Sequence, residues 1–169
     1  MLHHSSFNIP NSQYAGSRWN RGVTLIELLI ALSVIALISS VILASFSEFR
    51  ARQTLDASVE VVLAAFSAAH LDTISSKNDD IYGINLKSGE VIYFKGSPYP
   101  GDNAAGNTHY VLPAPIEIAN ISLNGGGTTI FYKRLTGATD NFGSFDVRVK
   151  AKTIVKSTIT INQTGATSL

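Results

Sequence analysis

Apolar and polar positions divide the chain into stretches with different rhythms. Residues 1–20 mix Ser, Asn, His, Pro and Gly without apolar periodicity, which reads as a disordered leader. Residues 23–46, VTLIELLIALSVIALISSVILASF, are apolar almost throughout and carry one charge, Glu27. Farther on, Leu55, Val59, Val62, Phe66 and Ala69 recur at alternating steps of four and three, the spacing of one helix face. No Pro or Gly lies between Val23 and Ile81, so the apolar run and the stripe are expected to form one helix to about Ser75, its second half packed on a sheet. Ser75-Ser76-Lys77-Asn78-Asp79-Asp80 is a turn cluster that ends it.

Strand rhythms follow. Residues 81–86 and 91–94 flank Lys87-Ser88-Gly89-Glu90 and predict a hairpin. Residues 96–108, with Pro98, Pro100, Gly101 and Gly106, read as a loop. Residues 116–123 and 128–133, on either side of Gly125-Gly126-Gly127, predict a second hairpin, and residues 145–150 and 154–161 a third. One long helix followed by an antiparallel sheet is an α+β fold.

Twenty-four helical residues rise roughly 36 Å, enough to cross a hydrocarbon core of about 30 Å. A cleaved secretory signal has a shorter apolar region, about 7–15 residues, and no carboxylate. A buried soluble helix needs partner surface on all sides, and the remaining chain is too short and too polar to supply it. A membrane span is therefore expected. Arg18 and Arg21 precede it and Arg50 and Arg52 follow, so the positive-inside rule does not orient it. Glu27 needs a reason, because a carboxylate costs about 2.5–3.5 kcal/mol at a span's centre and less near its end. Either it reaches the headgroups, favoured by the helix N-terminus, or it awaits a cation from another subunit.

The string Arg21-Gly22-Val23-Thr24-Leu25-Ile26-Glu27-Leu28-Leu29 resembles the prepilin processing signal of type IV pilins and of the pseudopilins of type II secretion. The resemblance implies that a membrane aspartic peptidase, the prepilin peptidase, cuts between Gly22 and Val23 and N-methylates Val23. Gly22 offers no side chain to block a peptidase cleft. The cut creates a cationic amine at Val23, one helical turn from Glu27. The resemblance pairs that carboxylate with the terminal amine of a neighbouring subunit during assembly. Each charge is expensive alone in a low-dielectric layer, so such a pair sets register. Two departures stand out. Val23 occupies a position where Phe is usual, and Ala44 one where many major pilins carry a helix-kinking Pro.

Carried along the chain, the resemblance implies a leader over 1–22, a transmembrane assembly helix over 23–46 and a pilin-like globular unit over 47–169. It implies a single-pass inner-membrane protein with its C-terminal unit periplasmic or extracellular. Its partners are the prepilin peptidase, major and other minor pilins or pseudopilins, and the inner-membrane assembly platform. The helix-then-sheet order and the late Thr-Ile-Thr-Ile-Asn-Gln-Thr-Gly segment resemble H-type minor pseudopilins and related minor pilins. The expected role is a structural subunit of a type II secretion pseudopilus, without enzymatic activity, cofactor or metal. The alternative is a minor pilin that binds DNA for uptake or serves adhesion or motility.

Composition and charge add little. The chain is 45% hydrophobic and 15% charged, with formal net charge +1. Losing Arg18 and Arg21 with the leader takes the 13 basic residues to 11 against 12 acidic ones, and a near-neutral body gives no general reason to expect nucleic acid. Without cysteine there is no disulfide or thiolate chemistry. His3 and His4 read as part of a flexible tail, and His70 and His109 as packing or surface residues. Asp79-Asp80 suits either calcium or a turn, the turn being favoured. Arg148, Lys150 and Lys152 alternate with Val147, Val149 and Ala151, which predicts three cations on one strand face, with Lys133, Arg134 and Lys156 nearby. That face reads as solvated and opposed to edge pairing, or as the DNA patch of an uptake pilin. Nothing resembles a phosphate-binding loop.

Overall fold

The structure, a computed structural model, describes residues 22–169. The leader, with His3, His4, Arg18 and Arg21, lies outside the described residues. One helix, α1, spans Leu25–Ile74, so the expected fusion of apolar run and amphipathic stripe is borne out. The chain divides into two compact units, one up to Ile42 and one over Leu43–Leu169.

In the first unit α1 is apolar on every side, and its large side chains from Leu25 to Ile42 are all exposed. A helix of that composition needs an apolar environment around it. It is long and apolar enough to cross a membrane.

In the second unit eight strands form two antiparallel sheets. β1 (Tyr82–Lys87), β2 (Glu90–Lys95), β3 (Thr108–Val111) and β5 (Thr129–Phe131) make a sheet of order β3-β2-β1-β5. β4 (Ile116–Leu123), β6 (Gly143–Val149), β7 (Lys152–Ile161) and β8 (Thr167–Ser168) make the other, of order β4-β6-β7-β8. The α+β class holds, with two sheets in place of one. The first and third predicted hairpins are present as β1–β2 and β6–β7. The second is not: β4 pairs with β6, while β5 pairs with β1. Gly125, Gly126 and Gly127 all have φ between +73° and +82°. Three successive left-handed residues suit glycine alone, and here they carry the chain from one sheet to the other. The predicted loop ends in β3, a short edge strand whose side chains are mostly exposed.

The helical stripe meets both sheets in one core. Leu55, Val59, Val62, Ala65, Phe66 and Ala69 pack with Ile84 and Leu86 of β1, Ile118 of β4, Ile130 of β5, Phe145 and Val147 of β6, and Ile159 of β7. Phe66 stacks on Phe145 with ring centroids 5.7 Å apart. A second apolar contact covers the far face of the first sheet, where Phe94 meets Tyr99 and Phe131 edge-on. Residues 96–107 thus lie over β2 by burying aromatic surface.

The end of α1 is tied down by hydrogen bonds. The Thr73 hydroxyl accepts from the Tyr82 N–H at 3.0 Å. Asp72 accepts from Lys77 Nζ at 2.6 Å and from the Tyr93 hydroxyl at 2.7 Å. Burial raises the Asp72 pKa, but these two donors outweigh it and hold the carboxyl below its ordinary range. Ser76 then turns into the left-handed region at φ 53°, which stops the helix where the turn cluster was expected.

Candidate processing and assembly site

Gly22, Val23 and Thr24 precede the first turn of α1, outside any helix or strand, and are exposed. Val23 is 70% exposed, and a Cβ placed on Gly22 meets nothing within 4 Å among the described residues. Among the described residues nothing covers the Gly22–Val23 peptide bond.

Thr24 caps the helix. Its hydroxyl accepts from the Glu27 N–H at 3.2 Å, and its carbonyl accepts from the Leu28 N–H at 3.1 Å. Thr24-Leu25-Ile26-Glu27 has the spacing of a capping box, in which the third residue after the cap is acidic. The cap satisfies an N–H that would otherwise be bare in an apolar layer. Glu27 sits in the first turn, where the helix dipole favours negative charge. Among the described residues its carboxylate has no ion-pair partner. Reading Glu27 for its charge alone missed that its backbone N–H donates to the Thr24 cap. The signal was the Thr-x-x-Glu spacing.

Residues 20–43 match the family model of the prokaryotic N-terminal methylation motif. The chain carries that motif. It supports a type IV pilin-like protein that is processed by a prepilin peptidase and assembled with other pilins. No curated protein and no solved structure matches the chain.

The expected cationic strand face is not formed. β6 ends at Val149, so Arg148 lies on β6, Lys150 in the turn and Lys152 at the start of β7. Period two requires an unbroken strand, and the chain reverses between the second and third cations. Arg148 is also half-buried and bonded to Glu117 Oε1 at 2.7 Å. Of its expected companions, Lys133 pairs with Asp140 at 2.7 Å, Arg134 with Asp79, and Lys156 with Asp146 at 2.8 Å. Asp80 pairs with Lys95 at 3.0 Å, so each member of the Asp79-Asp80 turn has its own cation. Among the described residues no group of three or more metal-type ligands forms.

His70 is a packing residue. Its ring meets Tyr132 edge-on at 5.2 Å, and it closes against Gly137 and Gly165, where a Cβ on either glycine would overlap the imidazole. His109 bridges Glu90 Oε2 at 2.9 Å and the Asp102 carbonyl at 3.1 Å. It helps fasten residues 96–107 to the β2–β3 edge.

Asp146 is a buried charge that pattern reading did not find, because its partners come from two other strands. Its carboxylate accepts from Asn120 Nδ2 at 2.7 Å on β4, and from Lys156 Nζ at 2.8 Å and Thr158 Oγ1 at 2.6 Å on β7. Burial pushes the pKa up, and the three hydrogen bonds outweigh burial and hold it at about 2. A carboxyl with a depressed folded pKa adds stability that is complete above its unfolded value of about 3.9 and is lost as pH falls toward 2. The shift corresponds to about 2 kcal/mol. Denaturant titration of the detergent-solubilised chain is expected to show this loss between pH 4 and pH 2, and Asp146→Asn should lack it. An identical pH profile for the two proteins rules the network out as the cause.

Proposed function

We propose that this chain is a minor pseudopilin or minor pilin, a structural subunit that co-assembles with a major subunit in a type II secretion pseudopilus or a related filament. The observation that carries this reading is the start of α1. An exposed Gly22–Val23 junction is followed by a capped helix whose first turn holds a carboxylate without an ion-pair partner among the described residues, in an otherwise uncharged span. In the proposed sequence the chain inserts through residues 23–46, with its C-terminal unit on the periplasmic side. Prepilin peptidase cuts after Gly22 and methylates Val23. Each subunit then carries a cationic terminus and, one turn later, Glu27. Both halves of a cross-subunit pair exist only after the cut. The resemblance of residues 158–165 to H-type minor pseudopilins is what favours the minor pseudopilin version.

Glu27→Ala tests the assembly role. The variant is expected to be cut as the parent is, since Thr24 still accepts the residue-27 N–H. Its incorporation into sheared filaments should fall by more than about a hundredfold, because breaking a buried pair costs about 3–5 kcal/mol. Immunoblots of filament and membrane fractions read both steps. Equal incorporation would reduce Glu27 to a helix-end charge.

A further inference from the structure

We propose that Asn124-Gly125 is a self-modification site, at which the folded chain converts the Asn124 amide to a carboxylate with water as the co-reactant. The inference does not depend on the filament reading. It concerns the link between the two sheets.

The chemistry needs an asparagine whose side-chain carbonyl carbon can be reached by the next residue's backbone nitrogen. Asn124 is the one asparagine in the chain followed by glycine, whereas the exposed Asn103 is followed by Ala104. Without a Cβ, Gly125 neither shields its own nitrogen nor resists the rotation that brings it to the carboxamide. In the first step the Gly125 nitrogen loses its proton and bonds to Asn124 Cγ, closing a succinimide ring. The Cγ–Nδ2 bond breaks, and ammonia leaves with that proton. Water then opens the ring at either carbonyl. One opening gives aspartate, and the other gives isoaspartate, whose main chain runs through the side-chain carbon. The sequence is redox-neutral.

The fold leaves this reaction open. Asn124 and Gly125 are exposed, so water and base reach both. The Gly126 N–H closes the turn by donating to the Leu123 carbonyl at 3.0 Å, while among the described residues the Gly125 N–H donates to none. The attacking nitrogen is therefore free. Among the described residues a Cβ on Gly126 or Gly127 meets nothing within 4 Å, so rotation of this run displaces no neighbour. One contact opposes the reaction: Asn124 Nδ2 donates to the Asp140 carbonyl at 2.9 Å. A neutral hydrogen bond of that kind slows the step by no more than about tenfold.

That bond also gives the reaction its consequence. The product has no donor there, and a carboxylate oxygen faces the Asp140 carbonyl instead. Behind Asn124 there is no slack, because Leu123 pairs with Gly143 and a Cβ on Gly143 would overlap the Ser122 carbonyl. The longer main chain of isoaspartate is therefore taken up in the open glycine run. A converted chain carries an added negative charge and has lost the tie between the end of β4 and Asp140.

The test follows the amide in the whole chain during incubation at mildly alkaline pH, folded in detergent and, in parallel, unfolded in guanidinium. Trypsin releases residues 96–133, which hold Asn103, Asn107, Asn120 and Asn124, and fragmentation mass spectrometry locates the amide that is lost. In the folded chain Asn124 is expected to lose its amide at least about tenfold faster than Asn103, because glycine leaves the attacking nitrogen bare. Enzymatic methylation specific for isoaspartate should label the incubated parent and not Asn124→Ser. A rate at Asn124 no faster than at Asn103 overturns the proposal. Loss confined to the unfolded chain overturns it too, since the turn then protects the amide. So does an isoaspartate label of parental strength in Asn124→Ser, which places the reaction elsewhere.

Discussion

Gly22→Leu is expected to leave the chain uncut, its leader still attached in the mass spectrum of membrane-extracted protein. The parent should lose residues 1–22. The structure makes this a clean experiment, because among the described residues a side chain at position 22 meets nothing within 4 Å. The substitution therefore costs the fold nothing, and any effect belongs to the enzyme that must close around the Gly22–Val23 bond. The expected loss of processing is near complete, since a branched side chain fills the space a cleft reserves for a residue without a Cβ. Normal cleavage of the leucine variant would remove Gly22 from the processing signal. Paired with Glu27→Ala, it separates two steps: the first variant stops before the cut, the second after it.

Phe66→Ala is expected to cost about 3–5 kcal/mol, the range for deleting a buried phenylalanine. Phe66 is 1% exposed and stacked on Phe145 where the helix meets the second sheet. Domains of this kind are stable by about 5–15 kcal/mol in total, so the variant should unfold at markedly lower denaturant. Phe49→Ala is the control. Its ring is 59% exposed, and removal should change stability by no more than about 0.5 kcal/mol. Denaturant melts of both in detergent decide the matter, and equal shifts would show that the stripe does not organise the core.

The features legible in the sequence were those written in short-range pattern. The stripe from Leu55 to Ala69 is one helix face, and a helix repeats within four residues. The β1–β2 and β6–β7 hairpins were legible because two-strand neighbours share a short turn. The separation of β4 from β5 was not, because it depends on which distant strand each one meets. Gly125-Gly126-Gly127 looks like a turn in either case. Strand β3 was hidden because it is an edge strand with mostly exposed side chains, so it has no alternation to show. In the candidate processing site Gly22, Val23 and Glu27 stood out by motif. The fate of Arg148 did not, since it depends on Glu117, 31 residues away, and on a strand ending one residue later at Val149.

The way α1 enters the core also sets how the globular unit bears tension. A pull on residues 23–46 passes into the same helix that carries Leu55, Val59, Val62, Ala65, Phe66 and Ala69. Those six side chains are spread over roughly 21 Å of helix rise. A force along the axis must slide all of them past the sheets at once, so the contacts resist together. The other terminus is different. β8 is two residues long and paired only with β7, so a pull there opens contacts one after another, like a zip. Along α1 the six core contacts give way together, whereas at β8 they give way one after another.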